Sequence, residues 1–329
     1  MRVFLTGGTG FIGRPLARAL LHRGWQVTAL VRRPDSAEAQ GLVADGATLA
    51  QGDVTDAASM RAPMQGADCV VHNAGWYEIG ITAEAARLMQ MINVDGTANT
   101  LRLALELGIP KTVHVSSIIA FGDTGAVLAD EGYRRRHGPT SFYELSKAEA
   151  HAIAEYYQRC GLPLTIACPA AVIGPGDHSS WAYAVRMWVR GLYPPFFWTP
   201  NGNQSFVYVD DVAEGIALCA EHGQPDAAYI LSAGTMTMRA VMELFATTPG
   251  GQRVRAYLPQ ALAETSAGMI EPLLRLIGLP AFISREAVRT TAMQMRFSGE
   301  RAMRELSWQP RSVEQAWLDT LAAERTAVM

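Results

Sequence analysis

The first residues constrain this chain more than any other stretch. Arg2-Val3-Phe4-Leu5-Thr6 is a short apolar run that leads directly into Gly7-Gly8-Thr9-Gly10-Phe11-Ile12-Gly13. From Arg14 to Leu21 apolar residues recur at helical spacing, and the pattern stops at Gly24. A strand, a glycine-rich turn and a helix in immediate succession are the setting in which such a glycine trio binds a dinucleotide. Gly7 permits the tight turn, Gly10 lets the main chain approach a pyrophosphate, and Gly13 lets the helix pack closely on the sheet. The helix then presents unpaired N–H groups and its positive dipole end to the phosphates.

Gln26 to Val31 reads as a second buried strand, followed by Arg32-Arg33-Pro34, with no acidic residue before Asp35. At the end of this strand an acidic side chain pairs with the free 2′-hydroxyl of NAD, whereas an arginine accommodates the 2′-phosphate of NADP. Arg32 therefore favours NADP(H), with NAD(H) as the alternative. Two solvated arginines at a strand end are the competing explanation.

Strand and helix continue to alternate. Strands are expected over 47–51, 68–72, 111–115 and 164–168. A short helix should follow Asp56, a long one should run from about Glu84 to Leu107, and another from about Thr140 to Cys160. Apolar, β-branched strands alternating with helices imply an α/β fold, a parallel sheet covered on both faces. Beyond about residue 170 the pattern loosens into helices, short strands and proline-rich connections. Residues 1–168 are expected to form the dinucleotide-binding part. Residues 169–329 should form a smaller, mainly helical substrate-binding region, with some segments returning to the sheet.

Near the end, Ser312-Val313-Glu314-Gln315 matches a capping box, with Gln315 reaching back, and should start a last helix burying Ala316, Trp317, Thr320 and Leu321.

A formal charge of −3 gives no reason to expect a nucleic-acid partner. Cys69, Cys160, Cys168 and Cys219 are scattered and read as buried, reduced thiols, with no metal site. The chain runs straight into its first strand, so no signal peptide is expected, and the apolar stretch Trp181 to Trp198 is interrupted by Arg186, Arg190, Pro194 and Pro195. These features point to a cytoplasmic protein without a membrane span.

The catalytic candidates follow the fifth strand. Val115-Ser116-Ser117 ends it, and Tyr143 and Lys147, four apart, share one face of the next helix. A phenol titrating near about 10 is a poor acid–base group at neutral pH. A neighbouring ammonium is expected to lower that value towards the working range, and Ser117 can donate a hydrogen bond to a substrate oxygen as charge develops.

Taken together, the chain resembles an extended short-chain dehydrogenase/reductase of the NAD-dependent epimerase/dehydratase superfamily. The resemblance rests on Thr6 to Gly13, Gly52-Asp53-Val54-Thr55-Asp56, His72-Asn73-Ala74-Gly75, Asn93 to Thr97, Val115-Ser116-Ser117 and Tyr143 to Lys147. Val172 to Asp177, Phe206 to Ala213 and Glu305 to Pro310 extend it over nearly the whole length. It implies a Rossmann-type doubly wound sheet with a cofactor contacted by Gly7, Thr9, Gly10, Phe11, Ile12, Gly13, Arg32, Pro169 and Val172. By the same resemblance Asp53 and Val54 meet the adenine, Ala74 and Gly75 the diphosphate-ribose side, and Lys147 the nicotinamide ribose. Ser117, Tyr143 and Lys147 become the catalytic group, with Asn93 in support. Ser117 is preferred to Ser116 because it lies five residues before Gly122. Phe121 departs from the tyrosine usual at its position.

Further departures narrow the chemistry. Sugar-nucleotide members carry Arg-Pro-x-Asn where this chain has Cys168-Pro169-Ala170-Ala171, and Ser117 is followed by Ile118-Ile119-Ala120 rather than by an acidic pair. Trp76, Tyr77, Trp181, Trp188, Phe196, Phe197 and Trp198 offer an apolar pocket, although each is equally a core candidate. Trp76, Tyr77, Ser117, Ile118, His178 and Trp181 are taken as substrate candidates. The pattern is similar to the dihydroflavonol-4-reductase and hydroxysteroid-dehydrogenase branch. The expected function is NADP(H)-dependent reduction of a ketone or aldehyde in a largely apolar small molecule, with Tyr143 giving the proton. The alternatives are an NDP-sugar epimerase, dehydratase or reductase using Arg239 or Arg253, and an NADP-binding sensor or scaffold without turnover. A homodimer is expected through Ala85, Leu88, Met89 and Ile92 on one helix and Ala148, Ala152 and Ile153 on the other.

Overall fold

The computed structural model describes residues 1–249, 251–279 and 283–326. Its first half alternates as the sequence implies: β1 (Arg2–Thr6), α1 (Gly13–His22), β2 (Gln26–Val31), α2 (Ala37–Ala44), β3 (Thr48–Gln51) and α3 (Ala57–Met64). Then come β4 (Cys69–His72), α4 (Ala83–Gln90), α5 (Gly96–Glu106), β5 (Thr112–Val115), α6 (Phe142–Arg159) and β6 (Leu164–Pro169). The second half begins with β7 (Ala171–Ile173), α7 (Ser180–Val189), β8 (Phe196–Trp198), β9 (Asn203–Tyr208) and α8 (Val209–His222). It continues through β10 (Ala228–Leu231), β11 (Gly234–Thr237), α9 (Met238–Thr247), β12 (Ala256–Leu258) and α10 (Gln260–Leu276). The last elements are α11 (Arg285–Ala292), β13 (Gln294–Met295), α12 (Glu300–Glu305) and α13 (Val313–Thr326).

Seven parallel strands form the main sheet in the order β10-β6-β5-β4-β1-β2-β3. Strand order reverses between β1 and β4, so a crevice opens at their C-terminal ends, where ligands of such sheets bind. Helices α1 and α8 pack together on one face, and α3, α5 and α6 on the other. This explains why β1, β4, β5 and β6 are buried at almost every position, Thr112 and His114 of β5 included: they are covered on both faces. β10 comes from the second half of the chain and extends the sheet beside β6.

A second core lies above the crevice. There β9 pairs with β7, β11 and β13, and Trp317 of α13 meets Phe206, Phe245 and Trp181 with ring centroids 5.1, 5.0 and 6.3 Å away. Trp188, Phe197 and Trp198, considered as pocket aromatics, are buried in this core, while Phe196 lies at its surface.

Three local expectations need correction. The helix expected over 84–107 is split by a π-helical turn at Met91–Asp95. Gly96, which starts α5, packs so closely on Val54 that a Cβ there would lie 2.7 Å from a Val54 methyl. Ser312 does cap α13, accepting from the Gln315 N–H at 3.2 Å, but the Gln315 side chain turns forward to Asp319 at 2.6 Å. Cys160, just past α6, is exposed, whereas the other three cysteines are buried.

Candidate active site

The glycine turn is shaped by what packs on it. Gly7 has φ +70°, and a Cβ there would lie 2.7 Å from the Ala74 main chain. At Gly13 a Cβ would stand 2.0 Å from the Gly7 carbonyl oxygen, so only glycine fits. The end of β4 is stitched to this turn: Ala74 N–H donates to Thr6 Oγ1 at 3.1 Å and Asn73 Nδ2 to the Gly7 carbonyl at 3.3 Å. Thr6 Oγ1 in turn meets Nδ1 of the fully buried His72 at 2.9 Å.

A cleft of about 710 Å³ runs over the turn, walled by Gly7, Thr9, Gly10, Phe11 and Ile12 on one side and by Asp53, Val54, Ala74 and Gly75 on the other. Arg32 stands at its rim, exposed and with no hydrogen-bond or ion-pair partner among the described residues. Gly13 is buried behind the turn and does not line the cleft. His178 borders this cleft, not the catalytic cavity, which corrects its place among the substrate candidates.

The cleft continues into a cavity of about 250 Å³, bounded by Ser117, Tyr143, Lys147, Pro169 and Val172. Pro169 and Val172 thus lie at the inner end, beyond the cleft proper. Trp76, Tyr77, Ile79, Ile118, Ile119, Trp181 and Met295 give the cavity an apolar wall, and Lys147 is the one cation among its described lining residues. Arg239 and Arg253 line neither space; the Arg239 guanidinium lies over the Tyr257 ring, 4.4 Å from its centroid.

Tyr143 and Lys147 owe their position to the start of α6. Ser141 Oγ accepts from the Glu144 N–H at 3.0 Å, and the Glu144 carboxylate takes both the N–H and the hydroxyl of Thr140 at 2.7 and 2.9 Å. Arg135 bonds the buried Glu144 carboxylate at 2.7 Å and the carbonyls of Ile119 and Ala120 at 3.0 and 3.2 Å. This arginine therefore ties the turn after Ser117 to the helix that carries Tyr143. Ser141-Phe142-Tyr143-Glu144 has capping-box spacing and was a legible signal; Arg135 had none.

Electrostatically the group differs from expectation. Burial pushes the Tyr143 phenol up to about 12, with the Ser117 hydroxyl pulling the other way. Lys147 does not lower it, because its ammonium is turned to the Val115 carbonyl at 3.1 Å. Burial lowers Lys147 itself to about 8. Tyr143 is thus a protonated donor at neutral pH, next to an ammonium that is 8 % exposed and keeps two N–H bonds for other acceptors.

Asn93, expected among the catalytic residues, does not reach the cavity. It is 2 % exposed in the π-helical turn and bonds Ser146 Oγ at 3.0 Å, so it positions other groups. His151, one turn beyond Lys147, also went unread. Its Nδ1 meets Ser116 Oγ at 2.9 Å, its ring packs edge-on to Phe121, and burial holds it down at about 4.

Residues 3–232 match the model of the NAD dependent epimerase/dehydratase family. The chain belongs to this family. Among its relatives is a putative dihydroflavonol 4-reductase of Synechocystis sp., 30% identical over 97% of this chain and 93% of that protein. Another is the 4-hydroxy-2-methyl-3-oxo-4-farnesyl-3,4-dihydroquinoline-1-oxide ketoreductase of Stigmatella aurantiaca, 30% identical over 98% of this chain and 96% of the other. Among solved structures, a UDP-glucose 4-epimerase of Thermotoga maritima bound to UDP-glucose superposes with a TM-score of 0.79 over 100% of both chains at 20% identity, a likeness of fold. Membership makes this chain an oxidoreductase or epimerase-type enzyme of the extended short-chain dehydrogenase/reductase group. No helix among the described residues is long and apolar enough to cross a membrane.

Proposed function

We propose that this family member is an NADP(H)-dependent reductase of a ketone or aldehyde in a largely apolar small molecule. The observation that carries this reading is the cavity wall, apolar throughout its aromatic side and with Lys147 as its described cation. A sugar diphosphate needs charged or bidentate partners for its phosphates, and neither Arg239 nor Arg253 reaches the space. The relative from Stigmatella aurantiaca, a ketoreductase, agrees with carbonyl chemistry.

The glycine turn fits a dinucleotide, since packing against Ala74 keeps Gly7, which lines the cleft, free of a side chain. Arg32 would meet a 2′-phosphate and Lys147 the nicotinamide ribose. Bound there, a reduced nicotinamide supplies the hydride. As the carbonyl carbon accepts it, the C=O π pair moves to oxygen, and Tyr143 gives that oxygen its phenolic proton. The Lys147 ammonium, held by the Val115 carbonyl while the phenol is neutral, would turn one of its remaining N–H bonds to the resulting phenolate, and Ser117 donates to the substrate oxygen during transfer. Residues 1–168 would hold the cofactor and the catalytic group, and 169–329 the far wall of the substrate cavity.

The cysteines form no disulfide among the described residues, which suits a reducing compartment, and we place the protein in the cytoplasm. We also propose a homodimer through α4 to α6. Met89 is buried within the subunit, but Met91, Leu145, Ala152 and Tyr156 face outwards.

Oxidation of NADPH by the purified protein against apolar ketones and aldehydes, and against UDP- and dTDP-sugars, tests the reading. Turnover with carbonyl compounds is expected. Turnover confined to sugar nucleotides, or none with a tightly bound NADPH, would replace it by one of the two alternatives.

A further inference from the structure

Helix α10 exposes a row of large apolar side chains. Leu262, Met269, Leu273 and Leu276 recur at spacings that place them on one face, and Ile277 follows at the C-cap. Met269 is 64 % exposed and Leu276 82 %. From Met269 to Leu276 the patch is about 10 Å long at 1.5 Å per residue. Ala263 and Ala267, on a different side of the helix, are buried against the body of the protein. Thr265 and Ser266 separate Leu262 from the rest, but Met269, Leu273, Leu276 and Ile277 are contiguous; single exposed apolar residues are ordinary, whereas such a patch marks a surface that meets something apolar.

Its electrostatic setting says what. Residues 251–289 carry five arginines against three glutamates in a chain of net charge −3. Glu264 pairs with Arg289 and Glu271 with Arg275. That leaves Arg253 and Arg255, which precede α10 in the chain, and Arg285, which lies against Gly268 of α10, exposed and without an ion-pair partner among the described residues. An apolar patch on a helix with unpaired arginines in the same segment suits the boundary of an anionic bilayer, where the side chains enter the acyl region and the arginines meet phosphates. A second copy of this chain would bring the same unpaired arginines to the same face, since a two-fold interface uses one patch twice.

The helix is also tied to the mouth of the cavity. Arg275 donates to the Gly80 carbonyl, and Glu286 of α11 accepts the Gly80 N–H at 2.6 Å. Gly80 ends the segment whose Trp76, Tyr77 and Ile79 line the cavity, and α11 contributes Thr290 to the same wall.

We propose that α10 is a docking helix that lays the protein on an anionic lipid surface, with the substrate cavity beside the bilayer. The docking stands on α10 alone; only its purpose, loading an apolar carbonyl compound from lipid, rests on the function proposed above.

Flotation with phosphatidylcholine vesicles, with and without phosphatidylglycerol, tests it on the full chain in the absence of cofactor and substrate. The native protein should float with the phosphatidylglycerol vesicles, and less so as salt rises. The double variant Leu273→Gln/Leu276→Gln should partition at least about tenfold more weakly, with unchanged thermal midpoint and unchanged turnover of a water-soluble carbonyl. Three results would overturn the proposal: native protein that stays with the soluble fraction, equal flotation of the variant, or a native self-association without lipid that the variant abolishes. Because no turnover is read in the flotation, failure of the proposed reaction cannot be mistaken for failure of the docking.

Discussion

Asn93 clasps the main chain of Trp76 on both sides. Its Oδ1 accepts from the Trp76 N–H at 2.7 Å, and its Nδ2 donates to the Trp76 carbonyl at 2.9 Å. Trp76 lines both the cofactor cleft and the catalytic cavity, so a residue that touches neither fixes the wall between them. The π-helical turn supports this, since its extra residue interrupts the helix at Asn93 itself.

Asn93→Ala should therefore act through the wall. It strands two main-chain groups of Trp76 and should lower unfolding free energy by about 1–3 kcal/mol, with KM for substrate raised several-fold. Urea unfolding together with steady-state kinetics checks both. An Asn93→Ala protein with native stability and native KM would remove the positioning role.

Arg32 gives the cofactor prediction. A charge-assisted bond to a 2′-phosphate is worth about 1.5–3 kcal/mol, or about 10- to 100-fold in affinity. Arg32→Ala should weaken NADPH binding by that factor and leave NADH binding nearly unchanged. Fluorescence titration with both cofactors reads the difference, and equal native affinities for the two would exclude the assignment.

Lys147 sets a pH dependence with two opposite signs. Its ammonium titrates at about 8 in the folded protein, against 10.5 when unperturbed. Cofactor affinity should fall as pH rises through about 8, because the charge offered to the ribose is lost. Stability should move the other way. Between 8 and 10.5 the unfolded chain holds more protons at this position than the folded one, so this contribution rises with pH. Lys147→Met removes the cost of burying the charge, and its stability advantage over the native protein should shrink between pH 8 and 10. Chemical denaturation of both proteins across that range shows it; a constant difference would contradict the buried ammonium.

Sedimentation velocity at micromolar concentration tests the dimer. A species near twice 35.6 kDa is expected, and Tyr156→Glu, which places a charge on the outward face of α6, should return it to the single-chain mass. A native protein found at 35.6 kDa alone rejects the proposed interface.

What could be read from the sequence follows from how local each signal is. The parallel sheet is prefigured by strands such as β4 and β6, which are buried at every position, whereas β10, the seventh strand, comes from the second half of the chain and was not placed. The glycine turn was legible since Gly7 and Gly13 sit where packing forbids any side chain. Asn93 was marked, but its role was not, because a π-turn has no sequence period of its own. Arg135 was invisible for a different reason. Its partners, Ile119, Ala120 and Glu144, lie 9–16 residues away in the chain and meet it only once the loop is folded. Local spacing placed Tyr143 and Lys147 on one face but could not show that Lys147 turns to Val115 and that burial, not its charge, governs the phenol.

The central claim is that Tyr143 delivers the proton in carbonyl reduction, and Tyr143→Phe tests it most directly. The ring is retained, so its edge-on packing with Tyr77, centroids 4.7 Å apart, and the cleft beside it should persist. NADPH affinity of the variant, measured by titration, should equal that of the native protein. Its kcat with an apolar ketone should fall at least about 100-fold through loss of the proton donor. A Tyr143→Phe protein that binds NADPH normally and turns over at the native rate would contradict the account.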